Sequence, residues 1–323
     1  MRIGALEGGG TKMVLAVCNE NGEVLDRVSI PTETPEITMP KMIAYFKEQQ
    51  VEALGIGFFG PVILNEQSPK YGCVGNTPKL AWKWYPVLDE FKKALQIPVG
   101  FDTDVNAAAL GEATWGITKG LKNSIYITVG TGIGAGVIVD GKMLHGMQHP
   151  EGGHILVAPH PNDTYKGKCP YHGRCLEGMA SGPAIEERWG KKAYELSDKK
   201  EVWELEAYYV AQGLVDMIML LSPERIVLGG GVMHQTHVMD LIRKETLRMV
   251  NKYIDTEELS DIENYIVLPS LNDNQGILGC AKLGMDFVAC TNKKYFPNDE
   301  LVDYCRKTAQ ETGASITLTE DVA

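Results

Sequence analysis

Two carboxylates and an amide lie close together where a predicted strand meets a predicted helix. Asp102, Asp104 and Asn106 follow the apolar run Ile97–Gly100 and open an Ala-rich segment. The free amides at a helix N-terminus favour negative charge, so a carboxylate there is well placed to accept a proton from a bound hydroxyl group. Asp is also a common cap before a helix, and taken alone the stretch favours that structural role. The rest of the chain must decide whether Asp104 is a general base.

Three glycine-rich turns follow apolar runs and form a second set of candidates, at Gly8–Thr11, Gly130–Gly136 and Gly229–Gly231. Glycine allows backbone amides to approach a phosphate, and successive amides form an anion-binding nest. Thr11 and Lys12 add a hydroxyl group and a cation. No turn has P-loop spacing, and a strand follows the second turn where a dinucleotide fingerprint requires a helix. Each turn alone is equally typical of a hairpin, but three together favour a nucleotide held between two domains.

A cluster of soft ligands occupies a loop-rich region in the middle of the chain. His154 is followed after fourteen residues by Cys169, His172 and Cys175 in a Cys-x-x-His-x-x-Cys pattern. Two thiolates and two imidazoles are typical of tetrahedral zinc, and a site with four protein ligands is structural. The alternative is one disulfide or two free thiols with incidental histidines. We expect zinc, because a disulfide is rare in a reducing compartment.

Glu151 and Glu177 flank this cluster and form the next candidate site. Carboxylates beside an imidazole and exposed glycine backbone suit a polyol, because sugar hydroxyl groups favour bidentate acceptors. Solvated loop charges are the alternative reading. His145, His149 and His160 are left over, and we expect them to be ordinary surface or loop histidines.

The elements that position these residues are repeated along the chain. Residues 3–27 predict a strand, a glycine turn with threonine, a strand, an Asx-Gly turn and a strand, and residues 124–144 predict the same series. A separation of about 120 residues indicates two similar α/β domains and excludes a solenoid, whose periods are about 20–50 residues. Two unrelated hairpins are the alternative. The duplication predicts an α/β fold with two related halves.

Length and charge agree with a two-domain enzyme. At roughly 100–200 residues per domain, 323 residues predict about two domains. We place an N-terminal α/β lobe at 1–118, completed by a helix near 275–290, a larger lobe with the zinc loop at 119–274, and an extension at 291–323 with no assigned role. The net charge of −11 argues against a nucleic-acid partner, and no run approaches the about 20 apolar residues of a membrane span. With a strand pattern beginning at Ile3, we expect a cytoplasmic protein.

Taken together, these motifs resemble the ROK family of sugar kinases, from Ile3 to about Ala289. Glu7–Lys12 is similar to the first phosphate motif, where most members have Asp in place of Glu7. Asp102–Ala107 is similar to the catalytic segment, although most members have Asn where this chain has Thr103. Gly130–Gly134 resembles the second phosphate motif. Further matches lie at Glu151-x-x-His154, the Cys-x-x-His-x-x-Cys run, Glu177 and the adenosine-side motif Leu228–Val232.

The departures from the family pattern resemble the bacterial fructokinase branch. They are Glu7, Phe59–Val62, Gly75–Lys79 and the His172 that replaces one cysteine of glucokinase-like members. The resemblance implies an actin-like fold of two ribonuclease-H-like lobes with the active site in the interdomain cleft. It also implies transfer of the γ-phosphoryl group of ATP to the 6-hydroxyl of fructose, with Mg²⁺ as cofactor, structural Zn²⁺ and a homodimer.

The resemblance also assigns roles to individual residues. Asp104 falls on the general base. The ATP-binding residues implied are Glu7, Gly8, Gly9, Gly10, Thr11, Lys12, Thr131, Gly132, Pro183, Gly230 and Gly231. The sugar-binding residues implied are Asn76, Thr103, Asp104, Glu151, His154 and Glu177, and the zinc ligands are His154, Cys169, His172 and Cys175.

Other functions remain open at this point. The nearest is a kinase for mannose or glucose, which differs only in the sugar. A ROK repressor is disfavoured, because the strand pattern at Ile3 leaves no room for a preceding helix-turn-helix and the chain is acidic. A non-catalytic sugar sensor is disfavoured by the presence of Asp104 together with three phosphate turns.

Overall fold

The computed structural model describes residues 1–291. Beyond Thr291, the predicted extension at 291–323 therefore lies outside the described residues. Two compact units divide the described chain. The first unit comprises Met1–Lys119, Asp140–His149 and the chain from Leu271 onward, and the second unit comprises Gly120–Val139 and Pro150–Ser270. Our sequence expectation kept 119–274 in one piece, whereas here the segment Asp140–His149 is grouped with the first unit.

Within the described residues the strands are short. They are β1 (Ile3–Gly8), β2 (Lys12–Cys18), β3 (Val24–Pro31), β4 (Ala53–Phe58), β5 (Val99–Thr103), β6 (Ser124–Val129), β7 (Ile133–Val139), β8 (Lys142–Met143), β9 (Arg225–Gly229) and β10 (Ile266–Val267).

The α-helices of the same part of the chain fall mostly between these strands. They are α1 (Pro35–Glu48), α2 (Val87–Leu95), α3 (Asp104–Trp115), α4 (Leu176–Ala180), α5 (Gly182–Trp189), α6 (Lys200–Leu221), α7 (Val238–Val250), α8 (Glu257–Ser260), α9 (Ile262–Tyr265) and α10 (Gln275–Thr291). None of them combines the length and apolar character that crossing a membrane requires.

The sheet of the first unit has the strand order β3-β2-β1-β4-β5. β1 pairs antiparallel with β2 across the first glycine turn, and β4 and β5 add in parallel on the other side. Successive side chains of a pleated strand point to opposite faces, and β1 and β2 follow this rule. Leu6 and Leu15 enter one hydrophobic core, whereas Ala5 and Val14 enter the other. Helices α1 and α2 cover the first face, and α3 and α10 cover the second.

Helix α10 packs very closely on the second face of this sheet. A Cβ atom added to Gly279 would lie 1.6 Å from the carbonyl oxygen of Ala107 in α3, and one on Gly55 would lie 1.7 Å from that of Cys280. Only glycine allows backbones to approach so closely. The C-terminal helix is therefore part of the core of the first unit.

The second unit repeats the hairpin and parallel pairing of the first. β6 pairs antiparallel with β7 across the second glycine turn, and parallel with β9, which in turn pairs with β10. The core beside it is built from buried side chains such as Ile127, Met179, Trp203 and Leu228. The strands β7-β6-β9-β10 thus have the same order and directions as β2-β1-β4-β5, and the predicted α/β fold with two related halves is confirmed.

Candidate active site

The junction between β5 and α3 carries the predicted base. Thr103 is the helix cap, because its hydroxyl oxygen accepts the N–H of Asn106 at 3.0 Å. Asp104 is the first helical residue, and its Oδ1 accepts the N–H of Val105 at 2.9 Å. The cap and the candidate base are therefore different residues, which resolves the competition between them that the sequence left open.

Burial sets the protonation of Asp104. It raises the pKa of this carboxyl from its ordinary 3.8 to about 6, and the hydrogen bonds from the backbone of Val105 and Asp104 only partly oppose the change. The helix N-terminus alone would have kept Asp104 strongly ionised, but desolvation is the larger effect. A carboxylate with a pKa near 6 accepts a proton more readily than an exposed aspartate does.

Asp102 lies beneath the same junction and is almost completely buried. Its Oδ1 accepts the N–H of Thr103 and the side-chain amide of Asn106, both at 2.7 Å. Its Oδ2 lies 2.9 Å from Nε2 of His145, which we had expected to be an ordinary loop histidine. No local motif predicts this contact, because the two residues are separated by 43 positions in the chain.

His149, the second histidine of this segment without a predicted role, also makes a specific contact. His149 is 6% exposed, and its Nε2 accepts the N–H of Val62 at 3.1 Å. The expectation of a surface histidine is therefore wrong for His149. His160 does lie in a loop, where its ring meets that of Tyr208 edge-on.

Glu7 lies at the end of β1, immediately before the first glycine turn. A Cβ atom on Gly276 would lie 2.6 Å from its Cδ, so the carboxyl group rests against the start of α10. Burial and the charge of Asp104 raise the pKa of Glu7 from 4.5 to about 7, although Arg27 and Lys12 oppose the shift. Glu7 and Asp104 thus both have raised pKa values in the first unit, and the charge of Asp104 acts on Glu7. Such a pair favours an added cation or a shared proton.

The first glycine turn is held by backbone contacts that leave its tip accessible. The N–H of Gly9 donates to the carbonyl of Lys12 at 3.0 Å, and the hydroxyl of Thr32 donates to the carbonyl of Gly9 at 2.7 Å. Thr11 and Lys12 are exposed. Their donors can therefore reach an anion at this turn.

The second glycine turn meets two other predicted ATP-binding segments inside the second unit. The N–H of Gly182, at the start of α5, donates to the carbonyl of Gly130 at 2.8 Å, which places the neighbouring Pro183 beside the turn. The backbone N of Gly231 would lie 3.7 Å from a Cβ atom added to Gly130. Gly230 has φ +92°, a conformation that favours glycine.

Gly132 and Glu177 connect this turn with the predicted sugar-binding loop. Oε2 of Glu177 accepts the N–H of Ile133 at 3.0 Å, and a Cβ atom on Gly132 would lie 2.7 Å from the same oxygen. Thr131 beside them is exposed. One oxygen of Glu177 therefore fixes the turn.

The four predicted metal ligands lie together in the second unit. Their ligand atoms are all within 4.8 Å of one another, although they come from distant points of the loop. The Nδ1 atom of His154 lies 3.5 Å from Sγ of Cys175 and 3.8 Å from Sγ of Cys169. Nδ1 of His172 lies 3.6 Å from Sγ of Cys169. Tetrahedral zinc with bonds of about 2.0–2.3 Å needs ligand separations of about 3.3–3.8 Å, so this set fits a zinc ion.

Local turns bring these ligands together. The N–H of Gly173 donates to the carbonyl of Cys169 at 2.9 Å, and Gly173 itself has φ +58°. Cys175 caps α4, with its sulfur accepting the N–H of Gly178. The cap places Glu177 in the first turn of α4, two residues after a metal ligand.

The remaining predicted sugar-binding residues belong to different units. Asn76 is an exposed loop residue of the first unit. Glu151 belongs to the second unit and precedes the short turn that ends at His154, whose N–H donates to the carbonyl of Glu151 at 2.9 Å. The loop therefore joins a candidate sugar ligand directly to a metal ligand.

Comparison with known proteins gives consistent matches over most of the chain. Residues 3–286 match the ROK family. A relative from Bacillus subtilis (strain 168) is 54% identical over 278 residues, which are 86% of this chain and 93% of the relative. A fructokinase from Zymomonas mobilis (strain ATCC 31821 / ZM4 / CP4) is 44% identical over 291 residues, covering 87% of this chain and 96% of that enzyme.

Solved structures agree with these sequence matches. The ROK family glucokinase from Streptomyces griseus, in complex with glucose and AMPPNP, has a TM-score of 0.72 at 27% identity, covering 88% of this chain and 99% of that one. The ROK hexokinase from Thermus thermophilus has a TM-score of 0.69 at 26% identity, covering 88% and 98%. The predicted sugar-kinase fold is confirmed, and this chain belongs to the ROK family.

Proposed function

We propose that this protein transfers the γ-phosphoryl group of ATP to the 6-hydroxyl of fructose and releases fructose 6-phosphate and ADP. The observation that carries the proposal is the position of Asp104, a desolvated carboxyl group at the start of α3 with a pKa raised to about 6. The choice of fructose is supported by relatives named fructokinase at 41–44% identity over 86–88% of this chain.

Asp104 acts as general base in this reaction. The oxygen of the sugar 6-hydroxyl attacks the γ-phosphorus, the bond from that phosphorus to the bridging oxygen of ADP breaks, and the hydroxyl proton passes to Asp104. Phosphoryl transfer depends mainly on positioning and charge stabilisation, so a base of moderate strength is sufficient. Thr103, which directly precedes Asp104, is assigned to sugar binding.

Backbone amides of the two glycine turns hold the phosphates. Gly8, Gly9 and Gly10 supply them in the first unit, with Thr11 and Lys12 adding side-chain donors, and Thr131 and Gly132 do so in the second. Pro183, Gly230 and Gly231 take the adenosine side. Glu7 fits a water-mediated partner of Mg²⁺, because its carboxyl group and that of Asp104 both have raised pKa values and a cation would favour their ionised forms. Bound Mg²⁺ would neutralise phosphate charge.

The sugar hydroxyl groups are assigned to Asn76, Glu151, His154 and Glu177. The Nδ1 atom of His154 faces the thiols, which leaves its Nε2 for a sugar hydroxyl group. Glu177 has one oxygen fixed on Ile133, so the other is assigned to the sugar.

Zinc is proposed for the cluster of His154, Cys169, His172 and Cys175. The support is three ligand separations of 3.5–3.8 Å, which match a tetrahedral ion, and the two soft sulfur atoms. Bound zinc would stabilise the loop that carries Glu151 and Glu177. With four protein ligands and no open position, the site is structural.

A panel of sugars tests the proposed reaction. ADP release should be measured with fructose, mannose, glucose and N-acetylmannosamine, and the product identified as a 6-phosphate. We expect kcat/KM for fructose to exceed that of each other sugar by about tenfold or more, which corresponds to about 1.4 kcal/mol. An Asp104→Asn preparation, purified identically, controls for contaminating kinases. A higher kcat/KM for mannose or glucose would reassign the substrate, and no sugar-stimulated release would reject the kinase.

Homodimer formation stays a prediction that rests on the family resemblance, and a cytoplasmic location stays a prediction from the sequence. Light scattering during size-exclusion chromatography would give the mass in solution. We expect about twice the 35.5 kDa of one chain.

A further inference from the structure

His145 lies on an exposed loop, but its ring faces the interior. Residues 144–148 are exposed, and Met147 is fully so, whereas His149 anchors the end of the loop in the interior. The side chain of His145 retains 34% of its accessible surface, but the Asp102 side chain that it contacts retains only 3%. Its ring therefore covers a buried carboxylate.

Asp102 joins two elements through a single carboxylate. Its Oδ1 binds the backbone of Thr103 at the end of β5 and the side chain of Asn106 in the first turn of α3. Its Oδ2 is bound by His145. A buried carboxylate oxygen that loses its partner costs about 1–3 kcal/mol or more, so the orientation of Asp102 depends on the imidazole.

Asp104 depends in turn on the start of α3. Its side chain accepts a hydrogen bond from the N–H of the next residue, Val105, which moves with the same turn of helix. A shift of that turn would therefore carry the carboxylate with it. Misplacement of a reacting group by about 1 Å can reduce a rate by about 10²-fold.

Resting on the proposed kinase reaction, we propose that His145 is a positioning residue for phosphoryl transfer. Its Nε2–H donates to Asp102 and thereby fixes the β5–α3 junction that carries Asp104. His145 acts through Asp102 and Asn106, and it needs no contact with the substrate.

The hydrogen bond is available in both protonation states of His145. Burial lowers the pKa of the imidazole, but the hydrogen bond and charge of Asp102 outweigh it and raise the pKa overall. Asp102 is the charged group that acts on His145 among the described residues. Both the neutral Nε2–H tautomer and the imidazolium donate to a carboxylate, so the contact is a constant support and not a pH switch.

Two substitutions at His145 separate a positioning role from a general effect on folding. His145→Ala removes the donor, whereas His145→Gln retains an N–H at a similar reach. We expect His145→Ala to lower kcat with fructose by about tenfold while KM for ATP changes less than about twofold. His145→Gln should restore kcat to within about threefold of wild type. Thermal unfolding of His145→Gln should stay within about 2 °C of wild type, whereas His145→Ala should lower Tm by about 2–12 °C, as a loss of about 1–3 kcal/mol implies.

A double-mutant cycle with Asp102→Asn tests whether His145 affects kcat through Asp102. If His145 acts through Asp102, the double variant loses no more than about twofold beyond the worse single variant. Multiplicative losses would overturn the proposal, as would a wild-type kcat in His145→Ala. An equal loss in His145→Gln and His145→Ala would also overturn it.

The same assay distinguishes this inference from the proposed function. An inactive wild-type protein would reject the kinase reaction itself, whereas active wild type with unaffected His145 variants rejects only the positioning role. His237→Gln, the same change at an exposed histidine of the second unit, is the matched control and should leave kcat unchanged.

Discussion

The two units contain the same arrangement of strands, yet they carry different chemistry. In both, a hairpin with a glycine turn is followed by two parallel strands. In the first unit the outer parallel strand β5 has five residues and leads into Asp104 and α3. In the second the equivalent β10 has two residues, and Leu268-Pro269-Ser270 follows with no carboxylate.

The connections between the strands also differ, and here the second unit has the more elaborate one. A single helix, α1, links β3 to β4 in the first unit. Between β8 and β9, by contrast, the chain carries the metal cluster, Glu177 and helices α4 to α6. The shared part contains a glycine turn twice, whereas the divergent parts contain the proposed base in one unit and the proposed sugar loop in the other.

The largest expected effect comes from the strand end that differs between the units. Asp104→Asn should lower kcat by roughly 10²–10⁴-fold, because the general base is lost. Wild-type kcat/KM should fall as the pH drops through about 6, since Asp104 must be ionised to accept a proton and its pKa is raised to about 6. Initial rates between pH 5 and 8 measure both.

Ser270→Ala changes the corresponding strand end of the second unit and serves as the control. Its rate should stay within about twofold of wild type. Turnover of Asp104→Asn within about tenfold of wild type would show that Asp104 is not the base.

The metal cluster distinguishes the second unit and is the next most sensitive feature. Cys175→Ser should abolish bound zinc and lower the unfolding free energy by about 3 kcal/mol or more, since a buried ligand set would lose its ion. A loss of that size lowers Tm by about 6–12 °C in a unit of this length. Elemental analysis and thermal unfolding measure the two effects.

Cys73→Ser, at a buried thiol of the first unit outside the cluster, is the matched control and should keep its zinc. Equal zinc content in both variants, or none in wild type, would reject the site.

A smaller effect is expected after β9, which is followed by Gly230 and Gly231, whereas its counterpart β4 is followed by Phe59-Gly60-Pro61. Gly230→Ala should lower the unfolding free energy by about 2–4 kcal/mol. The new Cβ would lie 2.5 Å from the carbonyl oxygen of Val129, and φ is +92°. Gly231→Ala meets no atom within 4 Å and should leave Tm unchanged while raising KM for ATP. Equal Tm values for the two variants would contradict this reading of the turn.

The smallest expected effect concerns Glu7, whose place before the glycine turn is taken by Val129 in the second unit. Burial and Asp104 raise the folded pKa of Glu7 from 4.5 to about 7, so between these values the folded state binds more protons than the unfolded state. The unfolding free energy of wild type should therefore fall as pH rises through that window.

Glu7→Gln removes the fall in unfolding free energy that the Glu7 charge causes. It should stabilise the protein by about 1–3 kcal/mol at pH 8 but little at pH 4.5, at 1.36 kcal/mol per pKa unit. Urea unfolding at the two pH values measures the difference. The exposed Glu48→Gln is the control. Equal stabilisation at both pH values would mean that the charge of Glu7 is not the cause.

The sequence predicted features that depend on neighbouring residues. The glycine turns, the duplicated hairpins and the Cys-x-x-His-x-x-Cys run are local, because a few neighbouring residues determine turn type and ligand spacing. The cap was predicted wrongly, since an aspartate was expected and the structure has Thr103. Asp102 and Thr103 both suit that position, and only the backbone geometry separates them.

Contacts between distant segments could not be predicted in this way. The pairing of Asp102 with His145 depends on where the loop after β8 lies, and hydrophobic periodicity carries no information on that point. The grouping of Asp140–His149 with the first unit has the same origin. The pKa of Asp104 could not be predicted either, because it depends on how far packing removes water from the helix start.

The interrupted course of the first unit has a consequence for synthesis on the ribosome. Its second hydrophobic core includes Ile277 and Ala281 of α10, which are translated after the whole of the second unit. Until α10 leaves the exit tunnel, the inner faces of β1, β2 and α3 have no cover. The second unit should therefore complete its core first, and a nascent chain that stops before Gln275 should expose apolar surface to chaperones.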